Sequence, residues 1–290
     1  MPDQNQIRRR DLFLGGALLA GLVPAAGKTK DDGFRSLFDG HSLKGWTPKA
    51  RNLAQPSLGR WVVEDGVIIG GQEPPGSGRG SYLVSDETFD DFELQIEARP
   101  DWPADTGILV RTVAQGNVGI QVLLDHRPHG GIGGYYGNGL FGFHAYNYGF
   151  TAQTNKEGRV TKLIPEPPSE PSMSNIHVPL DFAAPVETFM KAWKADGWNK
   201  FRIRSVGALP HLTTWINDEK ICELDTAKLQ VAELQAKGWS ADAVLSKIGR
   251  AGHIALEVHS SGGKDPLGAD RWGANSVCRW RNISIKKLSA

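Results

Sequence analysis

From Gly33 onward the apolar residues of this 290-residue chain recur mostly at every second position, and no stretch alternates strand with helix. Period two is the signature of half-buried strands, because successive side chains of a strand point to opposite faces. Phe92, Leu94, Ile96 and Ala98 alternate with Glu93, Gln95, Glu97 and Arg99. Ile120, Val122 and Leu124 alternate with Gln121, Leu123 and Asp125, and Ile254, Leu256 and Val258 with Ala255, Glu257 and His259. Phe201 and Ile203 continue the rhythm. Trp61-Val62-Val63 and Val67-Ile68-Ile69 flank Asp65-Gly66, a hairpin signal, and Asn217-Asp218 marks a second hairpin between Ile216 and Lys220. In the last strand, Val277 to Lys287, the phase changes from Cys278 and Trp280 to Ile283 and Ile285, which predicts a bulge near Arg281-Asn282.

Helix is confined to short segments. Ala227 to Trp239 reads as one, Ser240 as the N-cap of another over Ala241 to Ile248, and Val186 to Lys194 as a third. The pair after Ala227 is expected to form a surface flap. Thr151 to Pro185, rich in proline and poor in pattern, reads as a long loop. These features predict an all-β fold, a β-sandwich or jelly roll with a short helical insertion. They exclude a doubly wound sheet and any repeat architecture.

Residues 1–26 form a segment of another kind. Arg8-Arg9-Arg10 precede an uncharged apolar run from Leu12 to Val23, too short to span a bilayer comfortably, and Val23-Pro24-Ala25 supplies small residues for cleavage. Arg9-Arg10-Asp11-Leu12-Phe13-Leu14 resembles a twin-arginine export signal. The expectation is a periplasmic or extracellular domain over residues 33–290, delivered by the twin-arginine machinery, with no membrane span in the mature chain. Lys plus Arg is 33 and Asp plus Glu 32, a net charge of +1, so nothing draws the chain to nucleic acid. Its two cysteines, Cys222 and Cys278, are too few for a disulfide scaffold; in an exported protein they pair or stay as separate buried thiols.

The strand faces opposite the apolar ones carry unusual residues: Glu93, Gln95 and Glu97; Arg111; Gln121 and Asp125; Glu257 and His259. If those strands are neighbours, the sets merge into a polar floor suited to a ligand rich in hydroxyls. An ordinary solvated face gives the same pattern. Gly130 to Phe150 interleaves glycines with Tyr135, Tyr136, Phe141, Phe143, His144, Tyr146 and Tyr148, which either stack on sugar rings or cap the core. Asp125, His126, His129 and His144 offer carboxylate and imidazole for a divalent metal, or are ordinary surface groups, since their spacing matches no tight metal motif. A two-carboxylate glycosidase would draw on Glu93, Glu97, Asp125 or Glu257, and no pair stands out.

Several motifs, in order, resemble the 3-keto-disaccharide hydrolase domain family. The series opens with Phe34-Arg35-Ser36-Leu37-Phe38-Asp39-Gly40 and Leu43-Lys44-Gly45-Trp46, and continues through Trp61 to Gly66 and Phe92-Glu93-Leu94. Thr106-Gly107-Ile108-Leu109-Val110-Arg111, Gly119-Ile120-Gln121-Val122 with Asp125, and Gly197-Trp198-Asn199-Lys200-Phe201-Arg202-Ile203 follow. Gly252 to His259 and Arg281-Asn282-Ile283-Ser284-Ile285 complete it, so the likeness spans about residues 33–288. The resemblance implies a concanavalin-like β-sandwich acting on glycosides whose C3 hydroxyl has been oxidised to a ketone. That reaction needs a base for the C2 proton and a cation or donor at the enolate oxygen. The residues matching those needs are His259 as base, with Glu257 on the same strand face, and Arg111 for the oxyanion. Gln121, Asp125, His144 and Tyr146 are expected to hold the sugar, with a divalent metal at Asp125 as a further option. A non-catalytic carbohydrate-binding module on the same sandwich, or a two-carboxylate glycosidase, are the alternatives.

Overall fold

The computed structural model describes residues 32–168, 176–261 and 271–289, so the expected export segment lies outside the described residues. From Gly33 on the chain is one compact unit. The alternating segments pair into two large sheets. Sheet I runs β14 (Phe182–Ala183), β17 (Glu219–Asp225), β16 (His211–Ile216), β15 (Asn199–Val206), β6 (Phe92–Pro100), β19 (Val277–Lys287), β4 (Val67–Gly71), β3 (Arg60–Glu64), with β1 (Arg35–Ser36) on β19. Sheet II runs β13 (Ile176–His177), β10 (Phe143–Ala145), β9 (Ile132–Asn138), β8 (Gly119–His126), β7 (Ala104–Thr112), β18 (His253–Val258), β5 (Ser81–Ser85), β2 (Trp46–Ala50). All pairings are antiparallel except β10 with β13.

Alternate residues of the two sheets meet in one core. Leu94 and Ile96 of sheet I and Ile108, Val110, Ile120, Val122, Ile254, Leu256 and Val258 of sheet II belong to the same buried cluster. This is the layering expected of a β-sandwich. Both predicted hairpins form, and their turn residues explain why. Asp65 and Gly66 take φ of 49° and 78°, and Asn217 and Asp218 take 50° and 72°. Two consecutive left-handed residues match the twist of the flanking strands. The predicted bulge in β19 falls between Arg281 and Ser284, with Asn282 at φ 51°. It turns Ile283 and Ile285 inward after Cys278 and Trp280, so all four are buried.

Two regions differ from expectation. Thr151 to Pro185 is not all loop: β11 (Gly149–Thr154) and β12 (Val160–Glu166) form a separate two-stranded ribbon. The Asn155 side chain accepts from the amides of Glu157 and Arg159 and closes its turn. Only Val160 and Leu163 of β12 are buried, so too few positions alternate to reveal the strand. The insertion after β17 is also no flap. A 3₁₀ turn (Thr226–Lys228), α2 (Ala232–Ala236) and α3 (Ala241–Ile248) replace one long first helix, and α1 (Val186–Ala192) lies upstream. Leu229, Leu234, Trp239, Val244 and Ile248 all join the core, and Trp239 packs edge-on against Phe143. Ser240 does cap α3, accepting from the Ala243 amide at 3.2 Å. Cys222 and Cys278 are separate buried thiols. Among the described residues no helix is long and apolar enough to cross a membrane.

Candidate functional site

The outer face of sheet II carries a continuous row of polar and aromatic side chains. Cross-strand register aligns Lys49 with Tyr82, Tyr82 with Glu257, Gln121 with Tyr136, Tyr136 with His144, and His144 with His177. Period two alone places them there, because their chain neighbours fill the core. The expected merger of Glu257 with Gln121 therefore occurs across β18, β7 and β8. Glu93, Gln95 and Glu97 do not take part. They lie on β6 of sheet I, where Glu97 meets Arg281 and Asn282, and Glu93 sits 3.9 Å from Arg202.

Glu257 and Gln121 are joined across an intervening strand. The Gln121 amide donates to Glu257 Oε2 at 2.7 Å and to the Thr106 carbonyl at 3.3 Å. Gly107, on the strand between, makes this crossing possible: a Cβ there would stand 2.3 Å from Gln121 Nε2. The other oxygen, Glu257 Oε1, is ion-paired with Arg51, whose guanidinium also lies 5.6 Å from the Tyr82 ring centre. Glu257 is 1% exposed, so both partners are needed to offset its desolvation. Gly107→Ala should displace Gln121, leave Glu257 short of a donor, and cost about 1–3 kcal/mol. Urea denaturation of a double-mutant cycle checks this: in a Gln121→Ala background the same glycine change should cost little. An equal cost in both backgrounds would exclude the Gln121 clash as the cause.

A second carboxylate centre lies on the same face. Asp105 Oδ2 accepts from Arg127 Nε at 2.7 Å and from Arg271 Nη1 at 2.6 Å. Burial would raise its pKa, but His259 and the Arg127 and Arg271 cations outweigh burial and hold the carboxyl well below the usual range. Asp125 stands opposite Asp105 in the β7–β8 register and is buried.

His259 follows β18 directly and feels the charges of Arg51, Asp105 and Arg271. Its Nδ1 contacts the Ser260 carbonyl. A carbonyl only accepts, so Nδ1 carries the proton and Nε2 presents a lone pair. Burial first, then Arg51, pushes the imidazole down to about 3. The ring is therefore neutral above about pH 4, and its charge does not change near pH 6.5 as a free imidazole would.

The aromatic stretch divides between the two faces. Tyr135, Phe143, Tyr148 and Phe150 cap the core. His144 stacks on Tyr136 at 4.4 Å and meets Tyr146 edge-on at 5.9 Å, with His177 at 6.2 Å. Gly134 lets Tyr146 lie against β9, since a Cβ there would stand 2.6 Å from that of Tyr146. Burial, then His177, lowers His144 to about 3.

Arg111 is not on this face. A register shift in the β7–β18 pairing and φ 51° at Arg111 re-aim its side chain toward sheet I. There it donates to the Gly207 carbonyl at 2.9 Å and contacts Asp91 at 3.3 Å. The oxyanion role expected of Arg111 does not fit this placement, and the cations beside His259 are Arg51 and Arg271. The metal option is not supported by the geometry either. His126 Nδ1 bonds the Asp101 carbonyl, His129 bonds Glu166, and His144 stacks on Tyr136. Among the described residues no three His, Cys, Asp or Glu side chains converge as a metal set. Sequence reasoning missed Arg51, Asp105, Arg127, Arg271 and His177. Asp105 was within reach, because it shares the face of Gly107 and Leu109 by period two. Arg51 and Arg127 lie just beyond strand ends and Arg271 lies six residues before β19, where periodicity carries no signal.

The sequence matches the model of the 3-keto-alpha-glucoside-1,2-lyase-like domain over residues 33–286. The chain belongs to this family. That places the domain among carbohydrate-active proteins. A search of curated proteins gives no match. Among solved structures it is similar to a candidate glycosyl hydrolase from Parabacteroides distasonis at 15% identity and a TM-score of 0.49, covering 89% of this chain and 94% of that one. It is also similar to a carbohydrate-binding module from Bacillus subtilis at 10% identity and a TM-score of 0.42, covering 84% and 96%.

Proposed function

We propose that the outer face of sheet II is the active site of an enzyme that cleaves 3-keto glycosides by elimination, with net hydrolysis. The observation that carries this reading is His259: a neutral imidazole whose Nε2 lone pair lies in the field of Arg51 and Arg271. A C3 ketone acidifies C2–H. His259 Nε2 takes that proton and the C–H electron pair forms an enolate, with charge on the C3 oxygen. An arginine cation at that oxygen lowers the barrier. The enolate then collapses, C3=O is restored, a C1=C2 bond forms, and the C1–O bond to the leaving group breaks. The leaving oxygen takes up the proton that His259 Nε2 removed from C2, which returns the imidazole to its neutral form. Water adds hydroxyl to C1 and a proton to C2, which completes hydrolysis. In this reading Gln121, Asp125 and the Tyr136–His144–Tyr146 cluster bind hydroxyls and a ring face of the sugar.

Asp105 and Glu257, two of the three carboxylates on this face with Asp125 the third, do not suit the proton-donating role in a two-carboxylate glycosidase. Such an enzyme needs one carboxyl protonated as general acid. Asp105 is held ionised between two arginines, and Glu257 is an acceptor for Arg51 and Gln121. Incubation with a 3-keto glycoside and with its unoxidised parent tests the reading through aglycone release. Release from the 3-keto substrate alone is expected. Release from the parent would point to a glycosidase, and binding of both without release to a binding module.

A further inference from the structure

A glycine-rich segment, Gln72 to Gly80, connects β4 to β5 and lies against the chain that carries His259. Gln72 follows β4 directly and is 3% exposed. A buried amide destabilises the fold unless its donors and acceptor are met, so the partners of such a group are informative. Gln72 Nε2 donates to the His259 carbonyl at 3.0 Å and to Ser261 Oγ at 3.3 Å. Its Oε1 accepts from the Gly78 amide at 3.0 Å. These contacts fix which way the amide points, because a carbonyl only accepts and a backbone N–H only donates.

The two acceptors of Gln72 lie on either side of Ser260. Glycines bring the segment close enough for this. A Cβ on Gly78 would stand 2.3 Å from the Ser261 carbonyl oxygen, and one on Gly80 2.7 Å from both the Ser260 nitrogen and the Val258 carbonyl oxygen. Gly80 also seats a cation of the site: its carbonyl accepts from the Arg51 amide at 3.2 Å, and its Cβ would stand 2.8 Å from Arg51 Cδ. Ser260 is the residue whose carbonyl accepts from His259 Nδ1. Ring and acceptor are neighbours in the chain, so the backbone from 259 to 261 decides whether that bond forms. The pairing of β18 with β5 ends at Val258, and beyond it the ladder no longer fixes the backbone.

We infer that Gln72 is a positioning residue for the base. By anchoring residues 259 and 261 it holds the Ser260 carbonyl at His259 Nδ1, which keeps the proton on that nitrogen and leaves Nε2 as the acceptor for the C2 proton. The inference rests on the reading of His259 as the base. In a Ser-His-Asp triad a carboxylate orients the imidazole and sets its tautomer. Here a backbone carbonyl does so without bringing a charge, and Gln72 supplies the rigidity that a peptide beyond a strand end lacks.

The test uses the full chain labelled with ¹⁵N-histidine, observed at pH 8 without substrate, together with steady-state kinetics on a 3-keto glycoside. Two-bond ¹⁵N–¹H correlation separates the neutral tautomers, because protonated and bare ring nitrogens resonate far apart. The His259 signals are those absent from His259→Ala. The wild type should show Nδ1 protonated and Nε2 bare. Gln72→Met keeps the length of the side chain and removes its donor. It should draw the two resonances together as tautomers mix, and lower kcat about 10–100-fold with KM changed less than about twofold, the scale of a small misplacement of a reacting group. Gln72→Asn shortens the same amide, should act in the same direction, and covers the case in which Gln72→Met folds poorly. Ser57→Ala is the control for a merely structural effect: it removes a bond to the Glu73 carbonyl at 2.9 Å and should leave resonances and kcat unchanged. An equal response to Ser57→Ala would overturn the inference. Wild-type resonances in both Gln72 variants would overturn it too, while leaving the base reading intact. Turnover retained in His259→Ala would instead overturn the base reading, and the tautomer, read without substrate, is judged apart from it.

Discussion

His259→Ala should lower kcat for a 3-keto glycoside by about 10²–10⁴-fold, the usual worth of a general base. Its thermal midpoint should change little, because the ring is part-buried at a strand end and its Nδ1 serves only the adjacent Ser260 carbonyl. Leu256→Ala on the opposite face of the same strand should do the reverse. Leu256 is fully buried, and the cavity should cost about 2–5 kcal/mol. The pH profile separates roles further. An unperturbed imidazole base would give a rate rising through pH 6.5. With the ring lowered to about 3 by burial and by Arg51, the acid limb should lie well below pH 6. Removing that cation with Arg51→Gln should move the limb upward. A His259→Ala variant with wild-type turnover would remove His259 from the mechanism, and an acid limb unmoved by Arg51→Gln would remove the electrostatic coupling.

Stability should fall by at least about 3 kcal/mol between pH 6.5 and pH 5, the share of two buried histidines, and His259 adds to it in the same direction. Burial lowers His126 to about 4 and His144 to about 3, from 6.5. Over this window both imidazoles are protonated in the unfolded chain and neutral in the folded one. The unfolded state therefore binds more protons, and stability is lost as pH falls. Asp39, Asp105 and the other lowered carboxylates give up stability only nearer pH 4, below this range. Urea midpoints at pH 7.5, 6.5, 5.5 and 5 measure the slope. His126→Phe should remove between a third and a half of it. A flat profile over these pH values would show that the two rings are not buried neutral.

The strands were legible because each has one face in the core, so period two survives in β6, β8, β15 and β18. The hairpin turns were legible because two consecutive left-handed residues demand Asp-Gly or Asn-Asp. Elements with little burial left no such trace, as in β12. The insertion after β17 misled in another way: its apolar spacing suited a helix, but the tertiary core took up Leu229 in an extended segment.

Within the site, sequence alone determined that Gln121, Asp125, Glu257 and His259 point away from the core, since alternation fixes the face of every residue in a regular strand. It also carried the family. It could not determine which strands are neighbours. Pairing is a long-range choice, and it placed Glu257 beside Gln121 while sending Glu93, Gln95 and Glu97 to the other sheet. Nor could it foresee where alternation fails. The bulge at Arg111 turns a residue that period two assigns to the outer face into a partner of Asp91. The cations that replace it, Arg51 and Arg271, arrive from segments beyond strand ends, whose approach is set by packing and charge in three dimensions.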